Sequence, residues 1–124
     1  MRLQFNAIAQ SDLGLVRDGN EDSALISANL IAVADGMGGH AGGEVASAIA
    51  INTLQQLLPV INDPAIDLDS RADLFLNISY EVDAEILRVS KEKPELSGMG
   101  TTLTALSLTG DQVDLLHIGD SRCY

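Results

Sequence analysis

Asp35 stands where an apolar stretch of the chain gives way to a glycine-rich one. Residues 30–44 have the sequence LIAVADGMGGHAGGE, which places five glycines within the eight residues after the carboxylate. A carboxylate at the end of a buried strand is unfavourable unless it is paired, and a divalent cation is an effective partner. Glycines let the backbone come close enough for a carbonyl, such as that of Gly36, to join the ligand set. The stretch is equally compatible with a plain tight turn, because Asp and Gly are common turn residues.

The same glycines also satisfy a dinucleotide-binding pattern. Gly36, Gly38 and Ala41 fit G-x-G-x-x-G/A between a strand and a helix. However, Asp35 would bring a negative charge close to the pyrophosphate, and no acidic residue follows about 20 positions later to bind the ribose. The preceding strand also belongs to a predicted hairpin, whereas the fingerprint needs a parallel βαβ unit. Metal binding is therefore a better interpretation of this stretch than dinucleotide binding.

An acidic segment upstream supports the metal interpretation. The sequence RDGNED supplies Arg17, Glu21 and Asp22 just before the hairpin that leads to Asp35. Because the hairpin strands are short and antiparallel, its start and finish lie side by side, so the acidic pair and Asp35 converge at one end of the sheet. Arg17 can then clamp phosphate oxygens in a bidentate manner. Its alternative role is an ordinary surface ion pair with a neighbouring acid.

A third acid, Asp120, repeats the arrangement of Asp35. The segment VDLLHIGD, residues 113–120, is an apolar strand followed by a glycine and an aspartate. These residue types also favour simple strand-end turns. Two strands that end in the same way nevertheless favour one shared site for a hard cation such as Mg²⁺ or Mn²⁺, which prefers oxygen ligands.

Composition excludes several classes of protein. The chain has 124 residues, 46% of them apolar, which suits one globular domain with a hydrophobic core. Its net charge of −11 disfavours nucleic acids and anionic membranes as partners. No apolar run approaches the roughly 18 residues of a membrane span, and the N-terminal residues do not resemble a signal peptide. The single cysteine, Cys123, excludes an internal disulfide and is typical of a cytoplasmic protein.

Two segments have helical periodicity. The alanine-rich residues 44–58 predict a helix that Pro59 stops. A stripe of apolar or small residues, at steps of three and four from Leu68 to Val89, predicts a longer amphipathic helix that ends before Pro94.

The remaining segments predict strands. Alternation predicts a half-buried strand over residues 3–9, and two apolar runs within residues 24–34 predict a hairpin. A second hairpin is predicted around the dipeptide Gly110-Asp111. Strands joined by hairpins, with the helices grouped between them, indicate an α+β fold.

Four motifs together resemble a known family. SDLGLVRDGNEDS, VADGMGGHAGGE, SGMGTT and HIGDSR are similar, in order and spacing, to motifs of the bacterial metal-dependent protein phosphatases, the PPM or type 2C class. The resemblance spans residues 11–122. It implies an αββα sandwich, two antiparallel sheets flanked by helices, of which residues 1–124 are the truncated N-terminal portion of a single domain.

The resemblance also implies a chemistry. Family members hydrolyse phosphoserine and phosphothreonine in proteins, with a water activated by two Mn²⁺ or Mg²⁺ ions. The implied roles are metal bridging by Asp35, carbonyl ligation by Gly36, direct or water-mediated metal binding by Glu21 and Asp22, phosphate binding by Arg17, and a third metal at Asp120. His40 is a candidate general acid, although a role in shaping the glycine loop is equally open. His117, inside a strand, is expected to be structural.

One departure from the family leaves two functions open. The resemblance calls for two further aspartates in the second half of the domain, one in a DG motif and one in a DN motif, and residues 1–124 match only the first half. One hypothesis is a serine/threonine phosphatase that acts on phosphoproteins and is a monomer at full length. The other is a non-catalytic, phosphatase-like fragment that binds a phosphoprotein or a partner chain.

Overall fold

The described part of the chain forms one antiparallel sheet with a layer of helices on one of its faces. The structure, a computed structural model, describes residues 3–7, 22–39 and 41–119. The elements are β1 Asp22–Ile26, β2 Leu30–Met37, α1 Gly42–Gln56, α2 Leu58–Ile61, α3 Leu68–Glu92, a 3₁₀ turn Pro94–Leu96, β3 Gly100–Thr101, β4 Leu103–Thr109 and β5 Gln112–Ile118. The strand order is β1-β2-β4-β5, and β3 pairs with the end of β2.

Both predicted hairpins are present. Ser27 closes the first turn, because its hydroxyl donates to the Leu30 carbonyl and accepts from the Leu30 N–H, both at 2.9 Å. Gly110 has φ of 62° in the second turn, a left-handed conformation that favours glycine. Every described strand pair is antiparallel. This pairing contradicts the parallel βαβ unit that a dinucleotide fingerprint requires.

Strand alternation divides the sheet into two faces. The covered face packs on α1 and α3 and forms the main core together with them; its strand residues include Leu30, Ala32, Ala34, Leu103 and Ala105. The open face carries the alternate residues, and several of its large apolar side chains are exposed. Ile26 is 45% exposed, Val33 49%, Val113 53% and Leu115 56%.

Each helix buries one stripe of residues, and the stripe of α3 includes Phe75 and Val82, as its periodicity predicts. Leu54 of α1 is fully buried, and Ile78 and Val82 of α3 are each 1% exposed. Burial of a side chain of this size contributes about 1.5–3 kcal/mol relative to exposure. Asp67 caps α3, because its carboxylate accepts a hydrogen bond from the Ser70 N–H at 2.8 Å.

Two details of the helix predictions are wrong. α1 already ends at Gln56, and Pro59 lies in the first turn of the short α2, where its missing N–H has no intrahelical partner to lose. On α3 the buried residue is Arg71 rather than Ala72, which is exposed. A long side chain with a hydrogen-bonding head can replace an apolar one when every partner is supplied.

Arg71 has those partners. Its guanidinium donates to the Asp114 carboxylate at 3.1 Å, the Ile61 carbonyl at 3.0 Å and the Ser107 hydroxyl at 2.9 Å. It also lies over the ring of Phe75, 5.7 Å from the centroid. A buried charge is tolerated only when it is paired in this way, so Arg71 joins α3 to β4 and β5.

The predicted N-terminal strand is not formed over its described part. Residues 3–7 have no regular secondary structure. Phe5 donates one backbone hydrogen bond to the carbonyl of Ala28 at 2.7 Å. One bond beside a tight turn leaves no room for a continuous ladder, since the strand partner ends there. Among the described residues, no helix is long and apolar enough to cross a membrane.

Candidate metal site

Two carboxylates lie opposite each other at one end of the sheet. Asp22, the first residue of β1, pairs with Asp35 of β2 in the antiparallel register. Both belong to the open face and both are exposed. Directly opposed residues have Cα atoms about 4.5–5.5 Å apart, with their side chains on the same side of the sheet. The predicted convergence of Asp22 and Asp35 is therefore borne out by the register.

The strand around Asp35 is longer than the sequence suggests. β2 continues through Asp35 to Met37, and its last two residues pair with Gly100 and Thr101 of β3. Asp35 therefore lies inside the ladder and is neither a strand-end nor a turn residue. Its main chain is fixed on both sides, which restrains the direction in which its carboxylate leaves the sheet.

Thr102 binds the main chain of Asp35. The Thr102 N–H donates to the Asp35 carbonyl at 2.9 Å. In return the Asp35 N–H donates to the Thr102 hydroxyl oxygen at 3.1 Å. Thr102 is 3% exposed and lies between β3 and β4, where the regular ladder is interrupted.

The series of neighbouring residues that contains Asp22, Asp35 and Thr102 continues across the sheet to the end of β5. Leu103 pairs with Ile118, so the next residues on each side, Thr102 and Gly119, are neighbours. A Cβ on Gly119 would lie 2.7 Å from the Thr102 methyl carbon, and Gly119 has φ of +85°. We call Asp22, Asp35, Thr102 and Gly119 the acidic-end row.

The glycines after Asp35 serve packing between the sheet and α1. A Cβ on Gly36 would lie 1.8 Å from the Gly43 carbonyl oxygen, so the strand and the first turn of α1 touch through main-chain atoms. Met99 packs in the same way against Gly38 and Gly42, at 3.0 Å from a Cβ placed on either. The sequence interpretations of these glycines, as metal-site, turn or dinucleotide-binding residues, did not include this close contact between the sheet and α1.

A pair of serines ties β1 to α1 behind the site. The Ser23 hydroxyl lies 3.0 Å from the hydroxyl of Ser47, which is fully buried. Ser47 also donates to the Glu44 carbonyl at 3.2 Å. Since Ser23 follows Asp22, this link fixes the edge strand that carries one of the two carboxylates.

The structure describes three of the seven predicted site residues. It brings Asp22 and Asp35 together and places Gly36 beside them. The other four lie outside the described residues: Arg17, Glu21, His40 and Asp120. Within residues 3–7, 22–39 and 41–119, no group of three or more His, Cys, Asp or Glu side chains could hold a metal ion.

His117 lies away from this group. It is exposed on the open face, and its Nδ1 is 2.9 Å from the Thr104 hydroxyl. This hydrogen bond across the β4–β5 ladder agrees with the structural role that its position in a strand predicts.

The donor set suits a hard divalent cation. Carboxylate oxygens and a backbone carbonyl are the ligands that Mg²⁺ and Mn²⁺ prefer. Like charges directly opposite each other in a ladder are destabilising, and a cation between Asp22 and Asp35 would relieve their repulsion. The residues present therefore fit part of a metal shell.

A family model decides what this arrangement belongs to. The model for protein phosphatase 2C matches residues 18–124, which include Asp22, Asp35 and Gly36. The chain belongs to the protein phosphatase 2C family. The resemblance of its four motifs to the type 2C class is thereby confirmed.

Curated members of the protein phosphatase 2C family match nearly the whole chain. The serine/threonine protein phosphatase PstP of Mycobacterium tuberculosis is 47% identical over 116 residues, which are 94% of this chain and 22% of that protein. The serine/threonine phosphatase stp of Listeria monocytogenes is 36% identical over 126 residues, 97% of this chain and 49% of that protein. The chain thus spans half or less of the length of these relatives.

Solved phosphatases of this family share the fold. The catalytic domain of PstP in complex with two manganese ions aligns with a TM-score of 0.78 and 46% identity, over 91% of this chain and 47% of that one. Stp1 of Staphylococcus aureus aligns with a TM-score of 0.79 and 31% identity, over 98% of this chain and 50% of that one. The predicted α+β fold, as part of a phosphatase domain, is confirmed.

Proposed function

We propose that this chain is the N-terminal portion, residues 1–124, of a protein serine/threonine phosphatase domain. Its substrates are phosphoserine and phosphothreonine side chains of proteins. The observation that carries the proposal is the opposition of Asp22 and Asp35 across the β1–β2 ladder. The manganese ions of the PstP catalytic domain, which is 46% identical, support the same chemistry.

The metal ligands follow from the acidic-end row. Asp35 and the Gly36 carbonyl hold the cations together with Asp22, and the sequence motifs add Glu21 and Asp120. Asp22 follows Glu21 in the chain, and Gly119 precedes Asp120, so both added acids are direct sequence neighbours of row residues. When bound, two Mn²⁺ or Mg²⁺ ions supply a water of lowered pKa and neutralise charge on the phosphate.

The chain's own side chains position the substrate. Arg17 binds the phosphate oxygens through its planar guanidinium, which matches their geometry in a bidentate manner. His40 donates the proton to the leaving serine or threonine oxygen, the role of a general acid. The similarity of RDGNED to the family motif supports the assignment of Arg17, whereas shaping of the glycine loop is the alternative role of His40.

A second function has its own observation. The chain covers 47% of the solved PstP catalytic domain, and its described residues contain one opposed pair of carboxylates rather than a full metal shell. A fragment with this partial shell would bind metal weakly and act as a phosphoprotein-binding or partner-binding module. Catalysis by the 124-residue chain decides between the two functions.

The test is Mn²⁺-dependent hydrolysis of a phosphothreonine peptide by the wild-type chain, Asp35→Asn and Asp111→Asn. Asp111 is an exposed carboxylate in the turn at the opposite end of the sheet, so it is the matched control. We expect Asp35→Asn to lower turnover at least about 100-fold, because it removes a metal ligand, and Asp111→Asn to have no effect. A folded wild-type chain without Mn²⁺-dependent turnover would reject catalysis and favour the binding module.

A further inference from the structure

The side chain of Thr102 accepts a hydrogen bond that a main-chain carbonyl accepts in a regular ladder. The register is unbroken on both sides, with Val33 opposite Thr104 and Gly36 opposite Thr101, so Thr102 lies opposite Asp35. A regular antiparallel pair would exchange two backbone hydrogen bonds. Here the Asp35 N–H donates to the Thr102 hydroxyl, while the Thr102 carbonyl accepts from the hydroxyl of Thr101 at 2.8 Å. A side-chain oxygen has replaced a main-chain one beside the acidic pair.

The methyl group of the same side chain faces the other way. A Cβ placed on Gly119 would lie 2.7 Å from the Thr102 methyl carbon and 3.1 Å from the Thr102 Cβ. The glycine therefore sits against the threonine with no room for a side chain. One residue thus touches the main chain of Asp35 with its hydroxyl and the end of β5 with its methyl group.

We propose that Thr102 is a positioning residue of the metal site, which sets the main chain of Asp35 through its hydroxyl and the spacing to the end of β5 through its methyl group. The proposal rests on the function given above. Ligand geometry in a metal site is sensitive to the groups that orient the ligands, and loss of such a partner typically weakens metal binding about 10–100-fold. Thr102 does this through the main chain of Asp35.

The two contacts can be removed separately. Thr102→Val keeps the size of the side chain and removes the hydroxyl, whereas Thr102→Ser keeps the hydroxyl and removes the methyl group. Thr104→Val is the matched control, because it deletes another buried hydroxyl of the same segment, whose partner is His117 rather than Asp35. Near-ultraviolet circular dichroism and amide chemical-shift dispersion establish that each variant is folded.

The first readout is amide hydrogen exchange of Asp35 without metal, measured by NMR on the 124-residue chain. We expect exchange about tenfold faster in Thr102→Val, since the N–H loses its acceptor. Thr102→Ser and Thr104→Val should stay close to wild type. Equal protection of Asp35 in wild type and Thr102→Val would overturn the proposal, whatever the metal titrations show.

The second readout is Mn²⁺ affinity from isothermal titration. We expect the dissociation constant to rise about tenfold or more in Thr102→Val and to remain near wild type in Thr104→Val. Unchanged affinity in a Thr102→Val chain with a deprotected Asp35 amide would reject the link to the metal site. If wild type itself bound no Mn²⁺, the proposed function would fail, a result distinct from any difference between variants.

A double-mutant cycle tests the contact between the Thr102 methyl group and Gly119. Gly119→Ala should weaken Mn²⁺ binding, because its Cβ meets the Thr102 methyl group and its positive φ disfavours alanine. Thr102→Ser combined with Gly119→Ala removes the closest contact and should restore part of the loss. Strictly additive losses in the double variant would show that the two residues act independently and would reject the spacing role.

Discussion

The two faces of the sheet are built from similar residues but differ in burial. On the covered face, Leu30 and Leu103 are fully buried against the helices. On the open face, Val33 and Leu115 are about half exposed, although their side chains are of comparable size. Antiparallel sheets with one solvated face usually alternate apolar and polar residues, and near-continuous apolar strands are typical of sheets covered on both sides. The covered face therefore supplies most of the burial that stabilises the fold, and the open face presents the acidic-end row beside exposed apolar residues such as Val33 and Leu115.

The largest expected effect is on the free energy of unfolding, which a substitution should lower more under the covered face than on the open face. Leu54→Ala should lower the free energy of unfolding by about 3–4 kcal/mol, because it removes a fully buried side chain and leaves a cavity under the covered face. Val33→Ala on the open face should cost less than about 1 kcal/mol. Urea unfolding followed by circular dichroism measures both. A similar loss in the two variants would mean that the open face is buried in solution, and the comparison would break.

Arg71→Ala should have the next largest effect. It leaves the Ser107 hydroxyl and the Ile61 carbonyl buried without their donor, which costs about 2–3 kcal/mol. Asp114 adds little, because its carboxylate is partly exposed and remains hydrated. Arg71→Lys should recover only a part, since an ammonium group cannot reproduce the planar fork. Full recovery by lysine in urea unfolding would show that charge alone, rather than the three-way geometry, holds α3 to the sheet.

A smaller effect probes the open face directly. Exposed apolar surface binds the dye ANS, so the native chain should enhance ANS fluorescence. Val33→Thr combined with Leu115→Thr should reduce this signal while changing the free energy of unfolding by less than about 1 kcal/mol. A matched pair on the solvent side of α3, Leu76→Thr with Leu87→Thr, should leave most of the signal. An unchanged signal in the sheet variant would locate the apolar surface elsewhere.

The smallest effect concerns pH and the cap of α3. Hydrogen bonds from the hydroxyl and then the N–H of Ser70 lower the pKa of Asp67. The folded-state pKa lies below the unfolded one, so the cap stabilises the fold above the unfolded value and loses this contribution as pH falls through the folded value. Urea unfolding from about pH 5 to pH 2 should therefore show a weaker acid dependence in Asp67→Asn than in wild type. Superimposable pH profiles would exclude Asp67 from the acid response.

Local patterns predicted much of the fold and the convergence of Asp22 and Asp35. Apolar runs around turn residues gave both hairpins, and the first hairpin brought Asp22 and Asp35 together as expected. These features depend on neighbours in sequence, where periodicity and turn chemistry are informative. The exclusion of a dinucleotide site also followed from local topology, since a hairpin cannot be a parallel βαβ unit.

The contacts that sequence reasoning missed are distant in sequence. No sequence pattern singles out Arg71, because nothing near it in the chain indicates that Ser107 and Asp114 supply its partners from two strands. Thr102 fits a strand by propensity alone, and its hydrogen bond to Asp35 spans 67 residues. Gly36 and Gly43 could be paired only once α1 is placed against β2. A polar residue on the covered face of a predicted strand, such as Asp114, is the signal that should prompt a search for a buried cation.

The row across the sheet also orders the events of folding. Asp22 and Asp35 belong to one hairpin, and hairpins close within about 1–10 μs. Thr102 lies 67 residues from Asp35 in sequence, beyond α1, α2 and α3. Such long-range closures are slow because they must first overcome a larger loss of chain entropy. The two carboxylates therefore meet early in folding, whereas the hydrogen bonds between Thr102 and Asp35 form late. A cation that binds the early pair would favour the native strand register, because a slip of one residue would turn Asp22 to the other face.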